Sequence, residues 1–81
     1  MDKLDYAVLD LLMNKCKAIT KMTAISRKTI LSEMIINDTT LYRRLAELIN
    51  KGYVSKGITD IREHTYFITA AGKEILIREV E

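Results

Sequence analysis

The chain of 81 residues and 9.3 kDa falls below the roughly 100 to 150 residues of the commonest domain length, so one domain over residues 1–81 is expected. With 48% hydrophobic and 30% charged residues, no proline and three glycines, the composition describes a compact, mostly helical globule and excludes disordered, low-complexity and fibrous chains. No apolar run approaches the ~20 residues of a membrane-spanning helix, Asp2, Lys3, Asp5 and Asp10 break the apolar core that a secretory signal needs, and a single cysteine with a single histidine cannot make a four-ligand zinc site; the expectation is a cytoplasmic protein with no membrane span, structural metal or cofactor.

Leu4, Val8, Leu11, Leu12 and Cys16 recur at i, i+4, i+7, i+8 and i+12, the stripe of a first helix over about residues 3–15. Tyr6 and Leu9 fall off that stripe and offer a second apolar face to a partner. Residues 17–25 lack a helical period and suggest an extended connection with at most a short strand. Ser26 suits a helix start, and Ile25 and Ile30 have the spacing of a hydrophobic staple, so a second helix is predicted over about 27–34. Asn37 or Asp38 then caps a third helix over about 39–51, with Leu41, Leu45, Leu48 and Ile49 as its apolar stripe and Gly52 where a left-handed residue is wanted.

Beyond Gly52 the period falls to 2. Tyr53, Val54 and Ile58 lie in one strand and residues 65–69 in another, with Tyr66 and Ile68 turned to the core and residues 59–63 projecting at the hairpin tip. Thr69 is placed to cap a fourth helix carrying Ile75, Leu76, Ile77 and Val80. Tyr53, Tyr66 and Phe67 are expected as packing residues, the four methionines as core filler.

The net charge of +2 is distributed unevenly. Residues 15–56 carry nine basic residues against three acidic ones, whereas both ends are acidic. A polyanion would prefer the middle of the chain.

The order helix, helix, turn, helix, hairpin, helix, with LYRRLAELINKGYVSKG followed by HTYFITAAGKEIL, resembles a winged helix-turn-helix DNA-binding domain such as those of small regulators of the MarR and PadR groups. The resemblance spans nearly the whole chain and rests on Leu48, Lys51, Gly52 and Tyr53 at the end of the third helix and on the Tyr66-Phe67-Ile68-Thr69 strand leading through Gly72 into the last helix. It implies an α+β, mainly α fold: a three-helix core, a β-hairpin wing and a C-terminal helix. The chain departs from the pattern in having Ile35 and Ile36 but no glycine between helices two and three, and in ending after one short helix.

In such a domain the third helix enters the major groove. At ~100° per residue, Thr39, Arg43, Ala46, Glu47 and Asn50 point away from its apolar stripe, and Thr40, Tyr42 and Arg44 lie on the flanks. Arg43 can donate two hydrogen bonds to a guanine edge, Thr39 and Thr40 can touch a phosphate or a thymine methyl, and Tyr42 can reach a phosphate. The alternative for Arg43 is a solvated pair with Glu47 at i+4. Arg27 and Lys28, in the first turn of helix two, fit backbone anchoring, and Arg62 near the wing tip fits a minor groove. The remaining lysines are as well explained by solvated surface, and no role is expected for His64.

No phosphate-binding glycine loop, metal-ligand cluster or nucleophile with a partnered base is present, so an enzyme is not expected. The leading expectation is a sequence-specific binder of double-stranded DNA acting as a small transcriptional regulator, a homodimer through helix one and the C-terminal helix. The alternatives are a winged helix that serves as a protein-interaction module, and a plasmid or phage protein that binds partition or origin DNA.

Overall fold

A computed structural model describes residues 1–58 and 64–80. Helix α1 (Lys3–Asp10) opens with a reciprocal cap, in which the Asp2 carboxylate accepts from the Asp5 amide at 3.1 Å and the Asp5 carboxylate accepts from the Asp2 amide at 3.2 Å. The helical path continues from Leu11 to Lys15 as wider π-helical turns and closes with the Cys16 amide on the Leu11 carbonyl at 2.9 Å.

Lys17 then takes a left-handed backbone, φ 55°, and the chain runs through a turn in which the Thr23 hydroxyl accepts from the amides of Ile19 and Thr20. The extended connection ends in a two-residue strand, β1 (Ile25–Ser26). Ser26 caps α2 (Arg27–Glu33) by accepting from the Thr29 amide. Asn37 caps α3 (Asp38–Asn50), its side-chain oxygen accepting from the amides of Thr39 and Thr40 at 2.8 and 3.4 Å.

Gly52, at φ +83°, reverses the chain out of α3. Strands β2 (Val54–Lys56) and β3 (Thr65–Ile68) pair antiparallel, with Val54 opposite Ile68 and Lys56 opposite Tyr66. The sheet has three strands rather than the two of a bare hairpin, because β1 pairs antiparallel with the free edge of β3, Ile25 opposite Tyr66, giving the order β1-β3-β2. A two-residue strand carries too little periodicity to be read from sequence; its partner is supplied 40 residues later.

Helix α4 (Ala70–Val80) starts at Thr69, whose hydroxyl donates to the Gly52 carbonyl at 2.6 Å and accepts from the Gly72 amide at 3.1 Å. One side chain thus joins the exit of α3 to the entry of α4.

The core gathers Val8, Leu9 and Leu12, Ile30, the α3 stripe Leu41, Leu45 and Leu48, the inward strand residues Val54, Tyr66 and Ile68, and Leu76 of α4. Leu9, expected on an open face, is fully buried. Helix α4 packs against α1 within the same chain, so α1 is covered from two sides and the second face is consumed internally. Met22, expected in the core, is instead 81% exposed on the turn after α1, and Ile35 is fully exposed between α2 and α3. The architecture is a winged helix: four helices with a small antiparallel sheet. No described helix is long and apolar enough to cross a membrane.

Candidate nucleic-acid interface

The buried stripe of α3 leaves Thr39, Tyr42, Arg43, Ala46, Glu47 and Asn50 exposed, residues spaced 3 or 4 apart that share one solvent-facing side of the helix. The start of this side is fixed by Asn37, which satisfies the first amides of α3 through its side chain. Its roll is fixed by Leu41, Leu45 and Leu48, each at most 1% exposed.

The arginines of the region have different fates. Arg43 stands on the solvent face, and among the described residues its side chain has no ion-pair or hydrogen-bond partner; the pair with Glu47 is not formed. Arg44, one residue on, turns back toward α1, with its Nη1 2.8 Å from Asp2 Oδ2 and 3.5 Å from Asp5 Oδ2. The Asp5 carboxylate is buried beneath this contact, and its Oδ1 has no hydrogen-bond partner. Arg44 is therefore the counter-charge that lets Asp5 stay inside, an engagement that helical geometry alone does not reveal. The Asp2 carboxyl is held below the usual carboxylate range, chiefly by the Asp5 amide that it caps and with the Arg44 guanidinium adding to it.

Arg27 is also engaged. Its Nε lies 2.8 Å from Asp38 Oδ1, and its guanidinium stacks over the Tyr42 ring, 5.2 Å from the centroid. This ties the start of α2 to the first turn of α3 and fixes the rotamer of Tyr42, which is 57% exposed. Lys28 is exposed beside it. Lys15 pairs with Glu33 at 2.8 Å and links the end of the first helical segment to α2. Arg62, expected at the wing tip, lies outside the described residues.

A cleft of about 230 Å³ opens between α3 and the hairpin, lined by Tyr42, Leu45, Ala46 and Ile49 from the helix and Lys56, His64 and Tyr66 from the sheet side. Burial pushes the Tyr66 phenol up, with the nearby Arg27 guanidinium partly offsetting it. The sequence left Lys56 and His64 without a role. The signal that finds them is the strand period: Tyr66 and Ile68 face inward, so His64, two residues earlier, and Lys56, directly opposite Tyr66, belong to the same face.

Cys16 is half-buried, and burial pushes its thiol up from the ordinary cysteine range, the opposite of what a reactive thiol needs.

No family model and no curated protein matches the sequence. The fold matches TubR from Bacillus megaterium pBM400 with a TM-score of 0.88 and 18% identity, over 100% of this chain and 88% of that one. It matches the structure of the hsRosR-S4 complex with a TM-score of 0.77 and 22% identity over 99% of this chain and 68% of that one, and the hsRosR-S1 complex at 0.70 and 23% over 99% and 70%.

Proposed function

We propose that this winged helix is a small transcriptional regulator that binds double-stranded DNA sequence-specifically, with α3 in the major groove and the hairpin on the backbone or in the minor groove. The observation that carries the reading is Arg43. It is an unpaired guanidinium at the middle of the exposed side of a helix whose start, roll and neighbouring arginines are all fixed by other contacts. A charge presented this way is unneutralised in the free protein and free to form a two-pronged contact with a guanine edge. Thr39, Thr40 and Asn50 on the same helix, with Tyr42 held by Arg27, supply hydrogen-bonding groups for phosphates and neighbouring bases, and Lys28 and Arg62 supply charge at the margins. Arg27 and Arg44 act as braces of the reading helix more than as contacts.

A regulator of this kind reads a two-fold site as a homodimer. Of the surface first assigned to that interface, Leu9 is buried in its own chain and α1 is covered by α4. The outer side of α4 around Ile77, 47% exposed, is the part that stays available.

The test is fluorescence anisotropy of labelled duplex DNA, with an operator selected from a random pool. The expected result is binding that weakens steeply between about 50 and 200 mM salt, and Arg43→Ala that loses the preference for the selected site over random duplex. Equal affinity of the variant for both sequences at wild-type discrimination, or no duplex binding by the wild type at low salt, overturns the reading.

A further inference from the structure

The inward face of the β2–β3 hairpin changes character along its length. At the end nearest α4 it carries Val54 opposite Ile68, both buried in the core. One step on it carries Lys56 opposite Tyr66, and beyond that His64. Lys56 therefore stands on the face that looks toward α3, on a sheet whose outer face was equally available to a lysine. Its side chain emerges where the core has run out, at the rim of the cleft, with His64 beside it and Tyr42 across from it on α3. Ala46 and Ile49 form the apolar floor.

Lysine and histidine above an apolar floor, at the boundary between a groove-entering helix and a hairpin, match the chemistry of a nucleic-acid backbone: anionic phosphates that alternate with apolar sugar faces. The cleft also lies where a strand must pass if α3 occupies one groove and the hairpin the next. The geometry points to this cleft as a seat for one phosphodiester strand of duplex DNA, in which Lys56 neutralises a phosphate, His64 donates a hydrogen bond to it, and Ala46 and Ile49 cover the adjoining deoxyribose. The assignment rests on the DNA-binding reading of α3 and adds to it two contacts that carry no sequence information. Arg43 on the solvent side of α3 sets which site is chosen; the cleft sets how tightly any site is held.

That division is measurable. A labelled duplex of random sequence and a selected-site duplex are titrated over a series of salt concentrations with wild type, Lys56→Ala, His64→Ala, His64→Gln and, as a control outside the cleft, Lys73→Ala. Lys56 is exposed, so its truncation leaves the fold intact, which circular dichroism verifies. Removal of one phosphate contact lowers the slope of log affinity against log salt by about 0.9. The expected result is that Lys56→Ala shows this decrease and binds both duplexes roughly tenfold more weakly at low salt, the scale of one charge-assisted hydrogen bond, with the ratio between them unchanged. His64→Ala weakens both duplexes and His64→Gln, which keeps a donor, recovers most of the loss, while Lys73→Ala keeps the wild-type slope. If wild type binds with a steep slope but Lys56→Ala keeps that slope, or if Lys56→Ala alters the ratio between the duplexes, the strand seat is wrong and the reading of α3 stands. If wild type binds neither duplex, both fall together.

Discussion

Arg43 and Arg44 are adjacent in sequence and identical in chemistry, yet the fold gives them opposite tasks. A rotation of ~100° per residue sends one to solvent and the other back onto the Asp2–Asp5 cap of α1. Arg44→Ala is accordingly expected to cost more thermal stability than Arg43→Ala, because it leaves the buried Asp5 carboxylate without its counter-charge. Arg44→Lys, which offers a point charge in place of a fork, should recover part of the loss. Thermal unfolding followed by circular dichroism checks the order. The same contact has an acid signature. The Asp2 carboxyl titrates lower in the folded chain than its ordinary value of about 3.9, so the unfolded chain takes up the proton first. The stabilisation is full above about pH 4 and is lost as the pH falls through the lower, folded value. In Arg44→Ala this loss should be shallower but still present, since the Asp5 amide remains the larger cause; an unchanged acid limb would show that Arg44 plays no part in it.

At the scale of elements, α4 is positioned by backbone contact as much as by its apolar face. Thr69 bridges the Gly52 carbonyl and the Gly72 amide, and Gly72 lies so close to the start of the hairpin that a Cβ there would strike the Tyr53 carbonyl oxygen and come within 2.7 Å of Ile68 Cγ1. Two effects therefore compete in Gly72→Ala. Helix propensity favours alanine by about 1 kcal/mol, while overpacking against a backbone atom costs about 1–3 kcal/mol. Because the carbonyl oxygen belongs to the β2 entry and cannot rotate away, the clash should win, and the net expected change is a destabilisation that urea unfolding can measure. A stabilised variant would mean that α4 is free to lift from the hairpin.

On the scale of the whole molecule, α1 and α4 close on each other within one chain, so any second copy must use the outer side of α4. Sedimentation at tens of micromolar is expected to give twice the 9.3 kDa chain mass, and Ile77→Lys to return it to one chain with the circular dichroism unchanged; a wild-type monomer at that concentration would remove the dimer from the proposal. The sequence by itself determined the four helices, the capping residues Ser26, Asn37 and Thr69, the left-handed Gly52 and the inward Tyr66 and Ile68, because caps, turns and periodicity are local rules that act within a few residues. It also determined which side of α3 meets solvent. The tertiary structure alone decided what lies opposite each side chain. The burial of Leu9 came from α4, the pairing of β1 from a strand 40 residues away, the commitment of Arg44 from the N-terminus, and the meeting of Lys56 and His64 with Tyr42 from the register of two strands. Each of these is a contact between distant segments, set by packing and pairing that no local pattern encodes.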